Sequence, residues 1–224
     1  MTRLLVVNPN TTQTMTETIA LAARQAAGQG TKIEAVTSSM GPVSIEGYYD
    51  EAFAVPGLLA QIAAGEKAGA GAAIIACFDD TGLDAARAMA TMPVVGICES
   101  ALSLAAMVSK RFTVVTTMER SRVPIEELVA GATLGRAPAA AGAWGDRYGM
   151  ARKAHVRAAN ISVLSLEDPN SGARDKLRSE ITRALIEDNA EAIVLGCAGM
   201  ADLARTLQAE FGMPVIDGVG AAVK

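Results

Sequence analysis

The sequence predicts an α/β protein of two pseudo-symmetric lobes, each a mostly parallel sheet flanked by helices. Two observations predict it. Short apolar runs alternate with helix-length stretches, the pattern of parallel strands covered on both faces. One unit also occurs twice: strand, cysteine, short loop, helix, proline, strand. Ala72-Ala73-Ile74-Ile75-Ala76-Cys77 leads to Pro93-Val94-Val95-Gly96, and Ala192-Ile193-Val194-Leu195-Gly196-Cys197 leads to Pro214-Val215-Ile216-Asp217. Pro93 lies 16 residues after Cys77, and Pro214 lies 17 after Cys197. Two related βαβ halves are therefore expected. The expected division puts 1–97 with 213–224 in a first lobe and 98–212 in a second, with the site in the cleft between them.

Each element has a local reason. Arg3–Asn8 is an apolar run ended by Asn8-Pro9-Asn10-Thr11-Thr12. It reads as a buried strand, a loop and a helix capped near Thr12 or Thr14 and running to about Ala27. Lys32–Thr37 alternates as a strand, and Ser38–Tyr49 is a loop rich in turn formers. Pro56 opens a helix to about Ala68, since proline suits a first helical turn. Ala72–Cys77 is an apolar strand, followed by polar Asp79-Asp80-Thr81 and a helix through Ala90. Val94–Ile97 is a strand, Ala101–Lys110 a helix, Thr113–Thr117 a strand, and Val123 to Ala130 a helix. Ile161–Leu166 reads as a strand and Ala173–Asn189 as an amphipathic helix. Ala192–Gly196 is a strand, Met200–Phe211 a helix and Val215–Ile216 a strand. The Ala/Gly-rich stretch 133–150, which holds Trp144, shows no period. Gly218–Lys224 follows the last strand, so the closing helix is either short or continues beyond this sequence.

Composition narrows the function. The 224 residues carry 20 Lys+Arg against 24 Asp+Glu, a formal net charge of −4. Such a balance excludes the basic face of a nucleic-acid binder. The longest mainly apolar stretch without a charge, Ala52–Gly65, is too short to span a bilayer. Met1-Thr2-Arg3 runs straight into Leu4–Val7 with no signal-peptide pattern, so a cytoplasmic location is expected. There are three cysteines, Cys77, Cys98 and Cys197, and one histidine, His155. An odd count at wide spacing makes a poor disulfide framework. No Cys-x-x-Cys exists, and adjacent Asp79 and Asp80 do not converge easily on one ion, so no metal is expected. His155 among Arg152, Lys153 and Arg157 reads as a solvated basic face. Gly69–Gly71 precedes a strand and is no dinucleotide fingerprint.

The repeat places Cys77 and Cys197 at the carboxyl ends of strands, where open α/β sheets keep their ligand sites. Related by a pseudo-twofold axis, the two thiols face each other across a cleft. Two facing thiols suit one reaction: a thiolate removes a proton from a stereogenic carbon while the opposite thiol delivers one to the other face. A neighbouring carbonyl delocalises the carbanion, and backbone N–H donors hold the oxyanion. No cofactor is needed. A free thiol titrates near 8.5, so the helix N-termini expected after each cysteine are the candidate activators. Asp79, Asp80 or Glu46 are candidate proton acceptors or orienting groups, although a carboxylate raises a thiol's pKa. The competing reading is that cysteines at strand ends fill the core. Cys98, whose matching place is held by Gly218, is read that way.

Several stretches resemble the hydantoin racemases. They are Val7-Asn8-Pro9-Asn10-Thr11-Thr12, Ser44-Ile45-Glu46-Gly47-Tyr48-Tyr49-Asp50-Glu51 and Ala76-Cys77-Phe78-Asp79-Asp80-Thr81-Gly82-Leu83. Val114-Val115-Thr116-Thr117, Ile193-Val194-Leu195-Gly196-Cys197-Ala198-Gly199-Met200-Ala201 and Pro214-Val215-Ile216-Asp217-Gly218-Val219 complete the set. These enzymes belong to the aspartate/glutamate racemase superfamily, with allantoin racemases, maleate isomerases and arylmalonate decarboxylases. The resemblance implies a cofactor-independent two-base racemase that acts on a small molecule and assembles as a homo-oligomer. Cys77 and Cys197 match the two catalytic cysteines, whereas the decarboxylases keep one of the pair. Asn8, Ser44, Ile45, Phe78, Asp79, Thr116, Thr117, Ala198 and Gly199 match the substrate-contacting loops. Ala198-Gly199 after the second cysteine favours a neutral ring gripped by backbone amides, and Asp80-Thr81-Gly82 leans towards a 5-monosubstituted hydantoin over allantoin. The competing functions are an allantoin racemase, a maleate-type isomerase using one thiolate as nucleophile, and a non-catalytic small-molecule-binding protein on the same fold. Glu46 and Asp50 are equally solvated loop charges, and Tyr48 or Tyr49 equally a lid or a packing anchor.

Overall fold

In the computed structural model, residues 2–134, 153–168 and 170–224 are described. The first half runs β1 (Thr2–Asn8), α1 (Gln13–Ala26), β2 (Thr31–Thr37), α2 (Tyr48–Lys67), β3 (Ala72–Ile75), α3 (Leu83–Met89), β4 (Val94–Gly96) and α4 (Ile97–Val108). The second half repeats it with β5 (Arg111–Thr116), α5 (Arg122–Leu134), β6 (Lys153–Ala158), α6 (Ala173–Glu187), β7 (Ala192–Gly196), α7 (Ala204–Phe211), β8 (Val215–Asp217) and α8 (Gly218–Val223). Single 3-10 turns lie at Glu119–Ser121, Val163–Glu167 and Ala198–Leu203. The two sheets have strand orders β2-β1-β3-β4 and β6-β5-β7-β8, and every pairing is parallel. The orders are the same, so the sequence repeat is a repeat of topology.

Buried strands explain the apolar runs. In β7 all five residues are buried, and in β5 all but Arg111. Helix α1 turns Met15, Thr16, Ile19, Ala20 and Ala23 inward, a stripe at helical spacing.

Four readings are corrected. Helix α2 starts at Tyr48, and Pro56 lies inside it. Ala52 and Pro56 are both exposed, so the carbonyl that proline leaves without a partner faces water. The third element of the second half is Lys153–Ala158, and Ile161–Leu166 is loop and 3-10 turn. Strand β6 is an edge strand, so alternation of basic and apolar residues, not an apolar run, marks it. The stretch 213–217, expected in the first lobe, joins the second sheet: β8 pairs with β7. Finally, the registers Ala73↔Val94 and Ile193↔Val215 make Cys98 equivalent to Val219, not Gly218. Both are fully buried. Trp144 and most of 133–150 lie outside the described residues.

The halves differ in how they cap their last helix. Asp217 caps α8 itself, accepting the Gly220 N–H at 2.6 Å. The equivalent position in the first half is Gly96, which has no side chain. Asp80, from the loop after β3, supplies the carboxylate instead, accepting Cys98 N–H and Glu99 N–H at 2.9 Å each. A Cβ on Gly96 would sit 2.1 Å from Asp80 Oδ1. Gly96→Ala is therefore expected to lower stability by roughly 2–4 kcal/mol, and Asp80→Ala by about 1–2 kcal/mol. In thermal unfolding of the double variant, Gly96→Ala costs far less on the Asp80→Ala background, because the clash is gone.

Candidate active site

In each sheet the strand order reverses direction between the first and third strands, β1/β3 and β5/β7. Open α/β sheets place ligand crevices beyond the carboxyl ends of strands at such points. Here the two crevices meet in one small cavity of about 40 Å³. The first half contributes Asn10, Ile45, Cys77, Phe78 and Asp79. The second contributes Thr116, Thr117, Ser121, Cys197 and Ala198. Met15, Ile125 and Val163 make apolar walls.

Seven of the nine expected contact residues come together or lie beside a thiol. Ile45, Phe78, Asp79, Thr116, Thr117 and Ala198 line the cavity. Gly199 stands behind it, with its N–H on the Cys197 sulfur. Ser44 and Asn8 are not among the lining residues. Asn8 is fully buried, and its amide donates to Asn10 Oδ1 at 2.9 Å, Thr12 O at 3.1 Å and Thr16 Oγ1 at 3.0 Å. It holds the loop in shape, and Asn10 reaches the cavity in its place. Asn10 lies in the same Asn-Pro-Asn motif, so the motif was informative and the choice within it was not. Met15, Ser121, Ile125 and Val163 were missed. They sit on helices or turns whose apolar or small residues read as ordinary packing.

Thr116 Oγ1 donates to Gly196 O at 3.0 Å, across the β5–β7 junction. Its hydroxyl is thus engaged, which leaves Thr117 as the hydroxyl of the pair facing the cavity.

The thiols differ in surroundings. Burial pushes both up. Cys197 rises to about 11, with the Gly199 N–H working against the rise and the charges of Asp79 and Glu46 adding to it. The 3-10 turn Ala198–Leu203 begins directly after Cys197. Cys77 has no such helix: α3 begins only at Leu83. Burial and then the Asp79 carboxylate push the Cys77 thiol well above its ordinary value, with Thr81 and the Asp79 N–H working against the rise. Asp79 Oδ1 also accepts Thr81 N–H at 3.1 Å and the Thr81 hydroxyl. The backbone after the two thiols therefore differs: a 3-10 turn follows Cys197 directly, and α3 begins six residues after Cys77.

Glu46 clasps the two halves over the cavity. Its side chain is 7% exposed and pairs with Arg120, while Glu46 Oε1 accepts Val163 N–H at 3.1 Å. Ser121 Oγ donates to Glu46 O at 3.1 Å, and Tyr48 Oη donates to Glu127 Oε2 at 2.8 Å. Glu46 is thus a bridge and not a solvated loop charge. Cys98 is fully buried in the core. Among the described residues, no group of three or more His, Cys, Asp or Glu is placed to hold a metal ion, and no helix is long and apolar enough to cross a membrane.

Residues 4–224 match the Asp/Glu/Hydantoin racemase family, and the chain belongs to it. A hydantoin racemase of Pseudomonas sp. (strain NS671) is 47% identical over 99% of this chain and 83% of its own. A hydantoin racemase of Rhizobium meliloti is 46% identical over 98% of this chain and 85% of its own. The structure of an allantoin racemase from Klebsiella pneumoniae superposes with a TM-score of 0.87 at 45% identity, covering 100% of this chain and 85% of that one. The protein is an isomerase, a racemase acting on a small molecule.

The clasp is expected to matter for binding. Glu46→Ala leaves the buried Val163 N–H without its acceptor and frees the loop that carries Ile45. Steady-state kinetics are expected to show KM raised about tenfold with a smaller fall in kcat, a loss on the order of 1–2 kcal/mol. Glu46→Gln keeps an acceptor for Val163 and is expected to lie between that variant and the native enzyme.

Proposed function

We propose that this protein racemises 5-monosubstituted hydantoins at C5, without a cofactor, with Cys77 and Cys197 as the two acid/base groups. One observation carries the reading: two thiols, from equivalent strand ends of two sheets, open on one cavity. In one direction the Cys197 thiolate takes the C5 proton and Cys77 returns one to the opposite face. With the other hand of substrate the roles exchange. The carbonyl next to C5 takes the negative charge as an enolate. Thr117 and the amides after each cysteine are the donors for that oxygen, acting where charge develops. Ile45, Phe78, Asp79, Ala198 and Gly199 frame the ring, with Asn10 added and Asn8 shaping the loop.

Burial makes each thiolate scarce but strongly basic. A strong base is what a carbon acid requires, and proton transfer follows the base's affinity for the proton. The first lobe is the β1–β4 sheet and the second the β5–β8 sheet, with the cavity at their seam. We further read the protein as a cytoplasmic homo-oligomer.

Allantoin is the second reading, because the solved relative at 45% identity is an allantoin racemase. Allantoin carries the same ring with a ureido group at C5, so the two readings share one chemistry and differ in the substituent accepted.

The test is polarimetry on single enantiomers of alkyl- and aryl-substituted hydantoins, with allantoin in parallel. The expected result is loss of rotation on hydantoins, and a fall on the order of 10³-fold in turnover for both Cys77→Ser and Cys197→Ser. Native rates in either variant would refute the two-base mechanism. A preference for allantoin would transfer the assignment to the second reading. In the native enzyme kcat/KM is expected to climb with pH through the alkaline range. The thiolate fraction of Cys197 grows about tenfold per pH unit below its pKa, near 11.

A further inference from the structure

Glu51 lies in the first turn of α2. Its Oε1 is buried and receives no hydrogen from any donor. The carboxyl within hydrogen-bonding reach is that of Asp79, which lines the cavity next to Cys77. Two carboxylates cannot hydrogen-bond to each other unless a proton lies between them. Asp79 in turn accepts a hydrogen bond from the Cys77 thiol. The chain thus runs thiol, Asp79, proton, Glu51. Nothing equivalent stands at Cys197, whose sulfur receives the Gly199 N–H instead.

We propose that Glu51 is a positioning residue that shares one proton with Asp79, and that this pair holds Cys77 as the thiol, leaving Cys197 as the thiolate that opens turnover. The inference rests on the racemase reading above and assigns its two thiols unequal resting states. In the resting enzyme Cys77 is the donor. When it gives its proton to the enolate carbon, its S–H bond breaks and a C–H bond forms. The Cys77 thiolate then recovers a proton either from the opposite hand of substrate or through the carboxyl pair: the shared proton passes from Asp79 to sulfur, Glu51 takes one from water, and the Cys197 thiol gives back to water the proton it took from C5, which restores the resting state. No electrons are exchanged with any other group.

The surrounding charges agree. Glu51 is pushed up to about 8, first by burial, then by Asp79, with Glu127 of α5 and Asp50 of its own helix adding to it. Tyr48 is engaged with Glu127 and does not reach Glu51 as a donor. Acids thus surround Glu51, and the shared proton is retained at neutral pH.

Sign follows from order of loss. On raising the pH, Glu51 ionises first, so in the native enzyme the Cys77 thiol ionises beside two carboxylates. In Glu51→Gln it ionises beside one. In Asp79→Asn it loses its acceptor as well.

The test is alkylation of each thiol by iodoacetamide from neutral to alkaline pH, resolved by peptide mass spectrometry. In the native protein Cys77 is expected to ionise at higher pH than Cys197. Glu51→Gln is expected to speed Cys77 alkylation roughly fivefold at alkaline pH and leave Cys197 unchanged. Asp79→Asn is expected to speed Cys77 more and serves if the first variant does not fold. The proposal is overturned if native Cys77 ionises at or below the pH of Cys197, or if a folded variant leaves Cys77 where it was. The readout needs no substrate. Should thiol titration behave as expected while no ring is racemised, the proposal stands and the substrate reading falls.

Discussion

The cleft exists because the two sheets share one apolar layer. Val6 and Ile74 of the first sheet and Val114, Val194 and Ile216 of the second belong to a single buried cluster. Helices α4 and α8 cross within it, with Ile97, Cys98, Ala101 and Val219 at the crossing. Gly218 is required there, since a Cβ would sit 2.6 Å from Ile97 O. Burial of this kind contributes about 25 cal/mol per Å² of apolar surface and resists shear. It sets how far apart the carboxyl ends of β3 and β7 stand, and hence the spacing of the two thiols. Cys98 belongs to this layer.

Around that rigid seam stand four acids, Glu46, Glu51, Asp79 and Asp80. Each is managed differently. Glu46 is neutralised by Arg120 and by a backbone N–H from the other half. Asp80, pushed up to about 7 by burial, is partly compensated by the two N–H groups it caps. Asp79 faces the cavity and leans on Glu51. A buried carboxylate near a thiol raises the thiol, so the acids bias the site towards protonated cysteine. The halves are therefore alike in backbone and unlike in charge. Equal topology does not make the surroundings of the two thiols equal.

Much of this was legible in the sequence. The repeated strand–cysteine–Pro unit carried the topology, because parallel strands buried on both faces must be apolar throughout. Strand β6 was hidden because an edge strand needs only one apolar face. The start of α2 was hidden because a proline at an exposed helix position costs less than one facing the core. The thiols were legible from their place at strand ends. Asn8 was misread because its motif holds two asparagines, and only the fold shows which one turns towards the cavity. Met15, Ile125 and Val163 carry no chemical signal; they become site residues only when the two halves meet. Val94 and Val215 also show that a one-residue difference between the halves shifts every later equivalence, which is why Cys98 was matched to the wrong residue.

The central claim is that two thiols act on opposite faces of one carbon. The most direct measurement follows deuterium into each enantiomer separately, early in the reaction of one pure hand in D2O. Two groups with separate protons predict a product pool deuterated at C5 while the remaining substrate pool stays protiated. Deuterium entering both pools at equal rates would mean a single group serving both faces, and would contradict the account.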